Sequence, residues 1–175
     1  NKIDRYNASL RSTPSALSTN CLKYSVSVRM VFFITDASSL RLNWKAVRKY
    51  FDVIIQHLPP MLFLKEETLR KGIDLIVEKN HDSAFAVMKE QLYLWNENGP
   101  KYDLKNLPNS FTLPTTIIET MGLYITKKES LLKNRLRIGD KSAMIEIDKY
   151  EAIDIDYPSD LEFARVVANG LGFDS

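Results

Sequence analysis

The chain has 175 residues, of which 45% are apolar and 26% charged, and its net charge is +2. That length and balance fit one compact globular domain, and so small a charge gives no reason to expect a nucleic-acid or membrane-surface partner. A single Cys21 excludes an internal disulfide and a cysteine metal site and fits a cytoplasmic protein, His57 and His81 stand too far apart in sequence to suggest a His-based triad or zinc site, and no run reaches the length of a membrane span.

Residues 1–20 are polar, rich in Ser, Thr and Asn, and read as loop. They carry neither an initiator Met nor a charged-then-apolar signal, so the chain is expected to be an internal part of a longer one. From Cys21 to Ile34, apolar Leu22, Val26, Met30, Phe33 and Ile34 recur at helical spacing, and Asn43–Tyr50 reads as a second short helix. "FDVIIQHL" is an apolar run of strand type, ended by Pro59 and Pro60. "KEETLRKGIDLIVEKN" puts Leu69, Ile73, Ile76 and Val77 on one helical face, and "DSAFAVMKE" is the next strand. Strand, helix and strand at this length predict a βαβ unit and a partly parallel sheet.

The pattern then changes. Aromatic and alternating residues surround Asn98-Gly99-Pro100, a hairpin turn signal, and a polar stretch runs on to Pro114. Tyr93, Trp95 and Tyr102 are expected to bury against either a partner subunit or the domain's own face. "ETMGLYITKKESLLKNR" predicts a strand through Leu123–Ile125 and a short helix, and "KSAMIEIDKYEAIDID" predicts two more strands. In the last of them Asp154 and Asp156 lie side by side, while Ile153 and Ile155 face the packing side. Ser159 and Glu162 form an S-x-x-E capping box; Leu161, Phe163, Ala164, Val167 and Ala168 give the helix an apolar side, and Gly170 ends it. Two carboxylates at the carboxyl end of a strand stand where open α/β sheets place ligands. They are read either as ligands of a hard cation such as magnesium or as solvated turn residues.

Four stretches resemble the CMP-N-acetylneuraminate synthetase family, the cytidylyltransferases that activate sialic and related nonulosonic acids. "FDVIIQHLPPMLFLKEETLRKGIDLI" is similar to the family's strand, Pro-Thr-Ser-Pro turn and helix. "NHDSAFAVMKEQLYLWNENGPKYDLKN" resembles its D-S-x-F-S-V strand and hairpin, and "LPTTIIETMGLYITKKESLL" its L-P … N-G-x-x-Y-I segment. "RIGDKSAMIEIDKYEAIDIDYPSDLEFA" resembles its close and is the most specific; together they span residues 50–168. The resemblance implies a nucleotide-diphospho-sugar transferase-like three-layer α/β domain over the whole chain, with a mixed, mostly parallel sheet. A hairpin excursion at about 90–120 would reach across a homodimer. It implies CTP and a nonulosonic acid as substrates, pyrophosphate as leaving group, and Mg²⁺ held by Asp154 and Asp156. Substrate contacts would fall to Gln56, Tyr124 and Arg137, although Tyr124 also reads as a half-buried strand tyrosine.

The departures are as informative. The family's opening strand and Gly-rich basic loop have no counterpart in this sequence, so the domain is expected to lack them. "PPML" at Pro59–Leu62 stands for Pro-Thr-Ser-Pro, Asn109–Thr112 for a stretch with arginine and glutamine, and Thr120-Met121 for Asn-Gly. Lys101, Lys105, Arg135 and Arg137 remain as candidate anion contacts, Arg137 the best of them. The alternatives are a catalytically inactive remnant serving as a structural or binding protein, or a transferase of the same fold using another sugar.

Overall fold

A computed structural model describes residues 30–34 (backbone), 52–58 and 61–173. In chain order its main elements are β1 (Met30–Ile34), β2 (Val53–His57), α1 (Glu66–Val77), β3 (Ser83–Glu90), β4 (Trp95–Asn96), β5 (Gly99–Pro100), β6 (Thr116–Lys127), α2 (Lys128–Asn134), β7 (Ser142–Glu146) and α3 (Pro158–Gly170). The result is an α/β domain with a mixed sheet, ordered β1-β2-β6-β3-β7. β1 and β2 pair in parallel, as do β3 and β7, while β6 runs antiparallel between β2 and β3. β2 and β3 therefore share a direction, as the βαβ reading requires, but are not neighbours.

Alternation along the strands assigns the two faces. Val53 and Ile55, Leu123 and Ile125, Ala84 and Ala86, and Ile145 point to one side. There α1 lays Leu69, Ile73 and Ile76 on them, as its spacing predicts. Gly72 lets the helix approach: a Cβ there would stand 2.4 Å from Ile125 Cδ1 and 2.7 Å from Ile145 Cδ1. The opposite face carries Phe85, Val87 and Tyr124, packed with Leu58 and Ile138.

Three readings are corrected. The helix expected to end at Ile34 is a strand over Met30–Ile34, because β2 offers a parallel edge to the "MVFFI" run; the rest of that run, and the helix expected at 43–50, lie outside the described residues. The second strand expected in "KSAMIEIDKYEAIDID" does not form: β7 ends at Glu146, and 147–157 is irregular. Asp148 turns the chain there, its Oδ1 accepting the N–H groups of Tyr150 and Glu151, each at 2.9 Å. α3 is capped by Asp160, not by Ser159 and Glu162. Pro158 occupies the first helical turn, and Asp160 Oδ2 takes the N–H groups of Tyr157 at 2.7 Å and Asp156 at 3.1 Å. Of the apolar side expected for α3, only Ala164 is buried, while Leu161 and Phe163 are exposed.

Residues 91–115 leave the main sheet. β4 and β5 form a small hairpin around Asn98-Gly99, with Gly99 at φ 115°. The aromatics expected to bury against something pack on one another. Tyr102 meets Tyr93 and Trp95 edge-on, with centroids 5.1 and 6.3 Å away, and Trp95 Nε1 donates to Tyr102 Oη. Trp95, Leu104, Leu107 and Phe111 remain exposed.

Candidate functional site

Two groups of sequence-predicted residues come together, and they lie apart in the chain. The first is built on β6. Tyr124 stands opposite Gln56 of β2 on one side and Phe85 of β3 on the other. Directly opposed residues share a sheet face, so Gln56 and Tyr124, both buried, are neighbours on the face away from α1. The β6–β3 register then breaks. Phe85 opposes Tyr124 and Val87 opposes Glu119, so two steps on β3 match five on β6. Such a bulge re-aims side chains. It brings Glu119 back onto Tyr124, whose hydroxyl donates to the Glu119 carboxylate. Met121, in the bulge, has φ 57°, the left-handed region that favours glycine. Burial first, then the Glu119 carboxylate, push the Tyr124 phenol far above its ordinary range, so it stays a neutral donor.

Arg137 completes this group from the loop after α2. Its guanidinium carbon lies 4.5 Å above the Tyr124 ring centroid, a cation–π stack. Thr126 Oγ1 donates to the Arg137 carbonyl at 2.6 Å and fixes the loop. Among the described residues, only Ser130 Oγ and Arg137 Nη1 are buried side-chain polar atoms without a hydrogen-bond partner. The sequence named Gln56, Tyr124 and Arg137 but offered no sign that Glu119 belongs with them. The signal was the mismatch of register, which exists only in the sheet.

The second group is Asp154 and Asp156, in the irregular segment between β7 and α3. Both are exposed. Burial, then the charges of Asp156 and Asp160, hold the Asp154 carboxyl above its ordinary value. Asp154 Oδ1 accepts the Ile155 N–H at 3.1 Å, leaving its other oxygen and the Asp156 carboxylate as candidate cation ligands. Asp160 is committed to its helix cap. No group of three or more His, Cys, Asp or Glu able to hold a metal occurs among the described residues. Two hard carboxylates in a negative field fit a magnesium ion whose other ligands are water and substrate phosphates, and do not form a ready-made cage.

Glu151 positions this segment. It is 3% exposed, and its Oε2 accepts the N–H of Lys65, the residue capping α1, at 2.9 Å. Lys65 Nζ in turn pairs with Asp148. A carboxylate at a helix N-terminus is favoured by the dipole, so the run leading to Asp154 is tied to α1. Of the remaining cations, Lys101 and Lys105 are exposed on the excursion, and Arg135 ends α2 in the left-handed region. A cleft of about 380 Å³ opens beside Lys89, Gln91, Ser110 and Phe111, and its Lys89 is paired with Glu146 at 2.7 Å.

No helix among the described residues is long and apolar enough to cross a membrane. No family model matches the sequence, and no curated protein matches it. Among solved structures, the chain is similar to the 4-diphosphocytidyl-2C-methyl-D-erythritol synthase of Anaerococcus prevotii DSM 20548, at 14% identity and a TM-score of 0.48. The match covers 89% of this chain and 76% of that one. A likeness at that level identifies neither a family nor an activity.

Proposed function

We propose that this chain is a nucleotidyltransferase of the sialic-acid cytidylyltransferase type, joining CTP to an acidic sugar with release of pyrophosphate. The observation that carries the reading is the pair Asp154 and Asp156. It lies within the stretch whose residues most resemble that family, and Asp154 is held by Asp156 and Asp160 in a negative field that a cation would relieve. In this reading Asp154 and Asp156 would hold Mg²⁺, with further oxygen ligands coming from water and substrate. When bound, the ion neutralises charge on the α-phosphate and on the leaving pyrophosphate. The protein's own part is orientation. Glu151 fixes the segment that carries the aspartates, while Gln56 and the neutral Tyr124 hydroxyl line the sugar side. A sugar hydroxyl attacks the α-phosphorus as the bond to the pyrophosphate oxygen breaks and its proton passes to solvent, so no Ser-His or Cys-His arrangement is needed. A homodimer joined through the aromatic excursion belongs to the same proposal, supported by the exposed Trp95, Leu104, Leu107 and Phe111.

A second reading, a non-catalytic relative that keeps the fold, is favoured by one feature. Ser110–Thr112 forms a short 3-10 turn capped by Asn109, with no cation at 109–112 where the resemblance places arginine. Calorimetry with Mn²⁺ and CTP separates the two. The transferase reading expects a binding heat that Asp156→Ala removes; the same heat in both proteins, or none in either, rejects it.

A further inference from the structure

The geometry points to Arg137 as the group that receives the substrate's carboxylate, an assignment that rests on the acidic-sugar reading above. Four observations converge on it. Nη1 of Arg137 is buried and has no hydrogen-bond partner. The guanidinium is stacked 4.5 Å over the Tyr124 ring, which holds its plane. The ring itself is anchored by its hydroxyl on Glu119. The backbone beneath is pinned by Thr126, and Ile138 packs into the same cluster.

An arginine satisfied by its own protein would be an ordinary structural ion pair, as Arg70 is with Glu66. Arg137 forms no salt bridge among the described residues, although its guanidinium is stacked on Tyr124, a member of the buried cluster on that face. A buried donor without an acceptor is unfavourable, and the cost is recovered when an acceptor arrives. Stacking occupies one face of the guanidinium and leaves its edge, where parallel N–H groups match the two oxygens of a carboxylate. The residue as a whole is partly exposed, so an incoming anion can approach the edge of the stacked guanidinium. The Glu119 carboxylate beside this cluster is engaged by Tyr124, and Glu146, opposite Val87, is paired with Lys89. The cation at Arg137 also replaces what positions 109–112 lack.

The test measures binding of N-acetylneuraminic acid, its methyl ester and inorganic phosphate to the 175-residue protein with magnesium and CTP present. Wild type, Arg137→Ala and Arg137→Gln are compared, the last keeping a planar group over Tyr124 should the alanine variant fail to fold. The acid is expected to bind wild type about 10–100-fold more tightly than the ester, the scale of a charge-assisted pair. Both variants should bring that ratio close to one while leaving the ester's affinity unchanged. Folded variants that discriminate acid from ester as wild type does overturn the assignment and leave the transferase reading standing. Wild type that binds neither sugar overturns both. Arg137-dependent binding of phosphate, with acid and ester held equally, overturns the carboxylate assignment in favour of a phosphate.

Discussion

Replacing Gly122 by alanine should cost far more than one methyl group suggests. A Cβ at Gly122 would stand 1.3 Å from Met61 Sδ, 2.5 Å from its Cγ and 2.7 Å from its Cε. Met61 is 1% exposed and part of the main core, so its side chain cannot give way by a small shift and must leave its site. Gly122 is not among the glycines of positive φ, so the alanine backbone is unstrained and steric exclusion alone acts. Losing a buried methionine side chain costs about 2–5 kcal/mol. The stiffer unfolded chain returns about 0.4–1 kcal/mol. The net expectation is a loss of about 1–5 kcal/mol. The Gly122 carbonyl also accepts the Leu58 N–H at 2.9 Å, so the displacement reaches the end of β2. Urea unfolding of wild type, Gly122→Ala, Met61→Ala and the double variant tests this as a cycle. With Met61 already truncated, the added methyl has room, and the double variant should be no less stable than Met61→Ala alone. Additive losses, or a Gly122→Ala protein as stable as wild type, would refute the steric argument.

Three further outcomes are expected. Glu151→Ala removes the buried acceptor of the Lys65 N–H and should lower stability by about 1–3 kcal/mol in urea titrations; Glu151→Gln, which keeps an acceptor, should lose less, and equal losses would show that the hydrogen bond is not what holds the segment. Asp154→Asn should raise stability at neutral pH: a carboxyl whose folded pKa is raised opposes folding at pH above that value, and the opposition fades as pH falls toward its unfolded value near 3.8. Thermal melts across pH 3–7 should therefore converge on acidification, and a constant difference would remove burial and the neighbouring charges as its cause. In sedimentation at tens of micromolar the protein should be a homodimer that Trp95→Ala weakens; a monomeric wild type would leave the exposed excursion without its proposed partner.

Periodicity alone was sufficient where a segment's packing depends on its own pattern. The apolar "VIIQH" run made β2, the spacing of Leu69, Ile73 and Ile76 made α1, and the hairpin turns at Glu97-Asn98, next to the predicted Asn98-Gly99 signal. It misled where a neighbour decided. Residues 30–34 carry apolar groups that suit a helix or a strand, and the parallel edge of β2 selected the strand. "EAIDID" alternates like a strand, but Asp148 turned the chain after β7 and Glu151 anchored the run to α1. The aspartates were legible as a pair because they are two residues apart; their setting was not. The grouping of Gln56, Glu119, Tyr124 and Arg137 could be decided only in three dimensions. It depends on β6 entering antiparallel between β2 and β3 and on five residues of one strand spanning two of the other. No local pattern records such a register, because it is set by the strands on both sides.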